Sequence, residues 1–351
     1  MKNKYWFLSL LLITLFTGCS SSAQKRQAEF QKWQEPNGKL KVLSTTAMIN
    51  DLVKAIGGNH IDTLVLIQGD LDPHSYQLVK GDDEKLSFAD LIFYNGLGLE
   101  HGASLHHYLM KSQTATPLGD KIIQQDPSLV VLVDGNLDPH IWMDVSAWAK
   151  TIPVIVSVLS DKLPQYSQEF EENGRQLQKE LEQLHQELKE ILLKVPANKR
   201  YLVTSHDAFN YFARAYLSTP SEVENGTWSQ RFAAPEGLSP DSQLSAAHIR
   251  QIIDYLKEHD VHLIFPETNV SRDSIKKIVQ AAEDQGMEVS IACCPLYGDA
   301  MGPEGSDGDT YIKMQRYNAE TLANHMLDAP HSPSSNQVGL IEDEPVKTSQ
   351  S

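Results

Sequence analysis

Only three cysteines, Cys19, Cys293 and Cys294, occur in the 351 residues, and the last two are adjacent. No disulfide framework can be drawn across the chain from such a set. Basic charge is scarce as well, since 30 Lys and Arg face 46 Asp and Glu for a formal net charge of -16. Nucleic-acid binding needs a concentrated basic face to meet phosphate, so nucleic acid is excluded as a partner. HExxH, GxSxG and GxxxxGK[ST] are all missing, which removes three common catalytic and phosphate-binding signatures. NGLGLEHG, residues 95–102, comes nearest to a dinucleotide loop. Its spacing is GxGxxxG, however, and no acidic residue falls where a ribose contact is due.

No apolar run reaches the ~20 residues of a membrane span. The run from Tyr5 to Phe16, preceded by two lysines and followed by small residues, reads instead as a secretory signal over residues 1–18. LFTGC resembles a lipobox, with Phe16 where leucine is usual, and marks Cys19 for lipidation; ordinary cleavage near Cys19 is the alternative. Residues 19–39 then form a lipidated polar tether, which places the body outside the cytoplasm, in a periplasm or on the outer face of a bacterial membrane.

From residue 40 strands and helices alternate, which implies parallel strands with helical crossovers. KLKVLSTTA, IDTLVLI, LIFYN and LVVLVD read as strands of one α/β lobe over residues 40–158. Leucines 177, 181, 184, 188 and 192 put one apolar stripe on a long connecting helix within residues 159–196, stopped by Pro196. RYLVT, VHLIF and MEVSIACC are the strands of a second α/β lobe over residues 197–328. Cys293 and Cys294 in the last of these read as buried strand thiols. The tail, residues 329–351, has no periodicity and reads as disordered.

Thirteen histidines are present, and most sit in settings that suggest solvated or structural roles. His101, His106 and His107 read as solvated, with metal capture as a secondary use. Asp-Pro-His occurs twice, ending at His74 and at His140, each after an apolar run. Proline fixes one backbone angle and forces the preceding aspartate into an extended shape, so each imidazole is held on a stiff turn. In the second lobe His206 follows RYLVT, Glu267 follows VHLIF, and Asp299 lies beyond MEVSIACC. All five lie past the carboxyl ends of predicted strands, the edge at which open α/β sheets bind ligands. Two histidines of one lobe facing a histidine and a carboxylate of the other form a four-ligand cage for a divalent transition metal. Asp72 and Asp138 are candidates to accept a hydrogen bond from a ligand ring. Glu267 reads as a similar acceptor, with direct ligation and a helix-start contact as the other options.

DPHSY, NGLGLE, DPHIWMD, SHDAFNYFARAY, FPETNVS and YGDAMGPEGSDGDTYIKM, taken in order, make the chain resemble the TroA/ZnuA type of metal-binding receptor, the cluster A-I or cluster 9 solute-binding proteins of ABC importers. The resemblance runs from about residue 40 to 328. It implies two α/β lobes joined by a rigid helix, with a metal ion held in the cleft as cargo. It further implies a monomeric receptor that delivers to the permease membrane subunits of an importer driven by a cytoplasmic ATPase. The family's ligands fall on His74, His140, His206 and Asp299. Dedicated zinc receptors of the family carry a long His-rich acidic loop in the first lobe, and none precedes His140. Iron or manganese is therefore the favoured cargo and zinc a further candidate, although the Irving–Williams order alone would favour zinc.

Two other classes use the same residues differently. A metal-dependent hydrolase would leave a coordination position open for water, with Glu267 as base. A surface adhesin would use the metal only to stiffen its fold.

Overall fold

Leu91–Tyr94 is buried on both faces and Leu40–Ser44 nearly so, the condition of a parallel strand covered by helices on each side. The computed structural model describes residues 22–240 and 244–328. The signal peptide, the lipidation residue Cys19 and the tail from residue 329 lie outside the described residues. The first lobe runs α1 (Ser22–Gln34), β1 (Leu40–Ser44), α2 (Ala47–Gly57), β2 (Ile61–Val65), α3 (Asp82–Phe88), β3 (Leu91–Tyr94), α4 (Ala103–Lys111), β4 (Ala115–Pro117) and α5 (Leu118–Gln125). Its four strands are parallel in the order β2-β1-β3-β4, with Val42 opposite both Thr63 and Leu91.

Two segments of the first lobe differ from the sequence expectation. The fourth strand of this sheet is β4, while LVVLVD supplies only β5 (Leu132–Val133), paired antiparallel with β6 (Asn136–Leu137). Asp134 and Gly135 between them have φ of 50° and 81°, the left-handed pair that closes a two-residue hairpin and that Asp-Gly favours. The polar tether, in turn, is helical from Ser22. Phe30 and Trp33, one turn apart, are buried against Leu43, Leu64 and Ile92, and the Trp33 indole donates to the Asp62 carbonyl at 3.0 Å. Two aromatics on one face are enough to dock an otherwise polar helix.

After α6 (Val145–Ala149) and α7 (Ile152–Lys162), a Pro164–Tyr166 turn precedes the connecting helix α8 (Ser167–Leu193). The helix is therefore broken between residues 162 and 167, at the proline. All five leucines of its stripe are buried, and it packs against α2, α6 and α7. Gly174 permits the close approach of α7, because a Cβ there would meet a Val156 methyl at 2.7 Å.

The second lobe contains β7 (Leu202–Val203), α9 (Asn210–Phe212), α10 (Pro220–Asn225), β8 (Phe232–Ala233), α11 (Ala246–Glu258), β9 (Leu263–Ile264), α12 (Asp273–Glu283), β10 (Ser290–Ile291) and α13 (Tyr311–Asp328). β7 pairs with β8 and β9 with β10, all parallel. The Phe265 amide donates to the Val203 carbonyl at 2.9 Å and joins the two pairs. The resulting order β8-β7-β9-β10 repeats that of the first lobe, second strand, first, third, fourth. The architecture is α/β with two similar lobes and one long helix between them.

β10 stops at Ile291, so the cysteine pair is not buried strand. Cys293 is exposed and Cys294 half-buried, just before Pro295, which has no amide hydrogen to continue a ladder.

Candidate metal centre

Each Asp-Pro-His turn is built by its own aspartate. Asp138 Oδ1 accepts both the backbone amide of His140 at 2.8 Å and its ring Nδ1–H at 2.7 Å. In the neutral ring, proton and acceptor on the Nδ1 side leave Nε2 as the lone-pair nitrogen. Asp72 also accepts the backbone amide of its histidine, His74, at 2.8 Å, but its other contacts are the amide and hydroxyl of Ser75. The expected ring contact is thus made at Asp138 and not at Asp72, which is half-buried and closes a turn.

The loop set aside as a failed dinucleotide motif cradles both turns. Asn95 Nδ2 donates to the Pro139 carbonyl at 2.9 Å, and the Gly102 amide donates to the His74 carbonyl at 3.0 Å. A Cβ on Gly102 would run into the Tyr76 carbonyl. Glu100, fully buried, folds the loop by accepting from Thr45 Oγ1 and the amides of Asn95 and Gly96. Burial pushes its carboxyl up, and those hydrogen bonds oppose the shift.

From the second lobe, His206 follows β7 and Asp299 lies beyond β10. His74, His140, His206 and Asp299 are all buried and meet in one cluster, with one ligand atom from each within 4.8 Å of the others. His74 Nε2 lies 3.2 Å from His140 Nε2 and 3.4 Å from Asp299 Oδ2. His140 Nε2 is 3.3 Å from Asp299 Oδ1, and His206 Nε2 is 3.1 Å from Asp299 Oδ2. Three imidazole nitrogens and one carboxylate converge on a single point.

Glu267, 2 % exposed, stands behind His206. Its Oε1 accepts the His206 amide at 2.9 Å, and its Oε2 lies 2.7 Å from His206 Nδ1 without the alignment of a full hydrogen bond. Gly298 leaves room for this pair, since a Cβ would press on Glu267 Oε2 and lie 3.4 Å from His206 Cε1. Neither Gly298 nor Asn210 was foreseen. Asn210 Nδ2 donates to Asp138 Oδ2 at 3.0 Å and to Asp207 Oδ1 at 2.6 Å. One amide thereby ties the aspartate behind His140 to the residue after His206, across the two lobes.

The charges follow from this packing. Burial pushes the His140 imidazolium down, but Asp138 and Asp299 outweigh it and raise the group to about 9. Burial also opposes charge on His206, and Glu267 with Asp299 hold it well above the ordinary value. His74, with burial dominant and only Asp299 in opposition, is lowered. Burial would raise Asp299, but His206 and His140 hold it well below the carboxylate range. Asp207 is pushed up to about 7 by burial and by the Asp138 charge.

A cavity of about 680 Å³ reaches the cluster on the His74 side, lined in part by His101, Asp207 and the Asp134–Leu137 hairpin. The exposed His101 ring lies 5.7 Å from that of His74, whereas His106 and His107 point to solvent on α4. A second cavity of about 380 Å³ opens between the lobes on the Asp299 side and includes Asp51, Lys54 and Asp309.

Comparison with known proteins gives the same architecture and family. The Fe(III)-bound YtgA of Chlamydia trachomatis is similar at a TM-score of 0.77 and 36% identity, over 82% of this chain and 98% of that one. The metal-binding protein YtgA of Chlamydia pneumoniae is 40% identical over 84% of this chain and 87% of its own length. The manganese-binding lipoprotein MntA of Bacillus subtilis is 30% identical over 87% and 93%. Residues 42–325 match the family described as zinc-uptake complex component A, periplasmic, or ZnuA, and the chain belongs to that family.

Proposed function

We propose that this protein is the exported solute-binding component of a metal ABC importer, a carrier and not a catalyst. It takes one first-row transition metal ion as cargo in the cluster of His74, His140, His206 and Asp299, with Glu267 and Asp138 fixing two of the rings from behind. The observation that carries this reading is the convergence of three buried imidazoles and one buried carboxylate from both lobes. That N₃O set suits borderline cations and not calcium or magnesium, which want mostly oxygen. The functional units are the lobe of residues 40–158, the connecting segment 159–196 and the lobe of residues 197–328. Cys19 is the proposed anchor, and the cargo passes to the membrane permease and its ATPase.

Iron and manganese are the favoured cargoes, supported by the Fe(III)-bound and manganese-binding relatives. The family description names zinc, which the same donors accommodate. The test is elemental analysis of the mature chain purified without chelator, beside His140→Ala and Asp299→Ala. About one iron, manganese or zinc more per wild-type chain than in either variant is the expected result. Equal metal in all three proteins would overturn the assignment.

A further inference from the structure

A second group of metal-ligating side chains lies outside the cargo cluster. Cys293 and Cys294 follow β10, and His325 stands on the last turn of α13; one donor atom from each lies within 4.8 Å of the others. The sulfurs are 3.0 Å apart and Cys293 Sγ lies 3.8 Å from His325 Nε2. His325 Nδ1 is 2.8 Å from the Thr321 carbonyl, which can only accept. In the neutral ring the proton therefore sits on Nδ1, and the Nε2 lone pair faces the thiols. The ring is steadied edge-on against Phe265, with centroids 5.6 Å apart. A ligating histidine with its far nitrogen pinned to a carbonyl is the arrangement that metal sites use to orient imidazole.

We propose that Cys293, Cys294 and His325 form a second, surface metal site that takes one thiophilic d¹⁰ cation, Zn²⁺ or Cu⁺, with water free to complete the shell. Bonds of about 2.3 Å to sulfur and about 2.0 Å to nitrogen at tetrahedral angles put the two sulfurs about 3.8 Å apart and sulfur and nitrogen about 3.6 Å apart. The observed sulfur–nitrogen separation already fits, and the sulfurs part by less than 1 Å through side-chain rotation once the hydrogen bond between them is given up. Both thiols lose their protons to water on binding, so affinity rises with pH. Cys293 is the readier of the two, since the hydrogen bond from Cys294 holds it below the usual thiol value.

The site is independent of the cargo reading, and Cd²⁺ tests it as a probe. The phosphine-reduced mature chain, its Cys293→Ser/Cys294→Ser variant and His140→Ala are compared by equilibrium dialysis and by thiolate-to-cadmium charge-transfer absorption. About two Cd²⁺ in the wild type, about one without the absorption in the cysteine variant, and about one with it in His140→Ala is the expected pattern. His325→Gln weakens the absorbing site about tenfold. Equal stoichiometry in wild type and cysteine variant, with no charge-transfer absorption after reduction, overturns the proposal. Failure of the cargo reading looks different: the wild type then binds a single Cd²⁺, and the cysteine variant loses it.

Discussion

Replacing Asp138 with asparagine keeps the size of the side chain and changes what it asks of His140. The aspartate accepts from ring Nδ1 at 2.7 Å with both partners fully buried, a charge-assisted bond of roughly 1.5–3 kcal/mol. An asparagine that keeps its oxygen on the ring loses the charge. One that turns its amide nitrogen to the ring moves the histidine proton to Nε2, the atom aimed at the cluster. Either outcome weakens the donor, and losses behind a ligand typically cost 10–100-fold in affinity, about 1.4–2.7 kcal/mol. Asp72→Asn is the control, because that carboxylate touches only backbone and Ser75 groups. Competition against a metal-sensitive chelating dye measures both. Affinity should fall 10–100-fold in Asp138→Asn and stay within about twofold in Asp72→Asn. Equal effects, or none at Asp138, would refute the assignment of Asp138 as the residue that sets the His140 tautomer.

Gly298→Ala should lower both metal affinity and stability, the latter by about 1–3 kcal/mol as for other overpacked sites, read by dye competition and denaturant melts. Trp33→Ala should cost about 3 kcal/mol by loss of a buried aromatic, visible as a lower thermal midpoint with cargo binding intact; an unchanged midpoint would mean that α1 is not docked in solution. Metal must displace protons from His140 and His206, so affinity should keep climbing as pH rises from 6.5 to about 9. In calorimetry, a plateau above pH 7 with no proton release would contradict the raised groups. For the metal-free protein the sign reverses: a raised histidine adds stability that is whole below its unfolded value of about 6.5 and disappears as pH passes the folded value near 9.

The cluster was legible because its chemistry is local. Two Asp-Pro-His turns and three groups past strand ends can be placed by pattern alone. The one misplacement there concerned His140, whose turn follows a hairpin and not a sheet strand, and the Asp134-Gly135 pair was the available signal. Helix α1 escaped notice because two aromatics among polar residues make a weak periodicity, and only Leu43, Leu64 and Ile92 supply their partner surface. Asn210 and the 95–102 loop act through contacts dozens of residues distant in sequence, which no local pattern encodes. The cysteine pair was misread because burial statistics for cysteine outweighed the proline that follows.

The two Asp-Pro-His turns are alike in sequence but unequal in allegiance. Beyond His140, the Trp142 indole donates to the Gly298 carbonyl at 3.0 Å, and the Trp142 carbonyl accepts from Tyr311 and Gln315. Asn210 and Tyr216 add further ties, to Asp138 and to the Val145 amide. Among the described residues, the backbone around His74 is hydrogen-bonded within the first lobe, to Asp72 and Gly102. The His140 turn is therefore tied to both lobes, through Asn95 on one side and Asn210, Gly298, Tyr311 and Gln315 on the other, whereas the His74 backbone is held from the first lobe alone. Of the four clustered side chains, His74 is thus the one with a single-lobe anchorage, and it is also the one that lines the larger cavity.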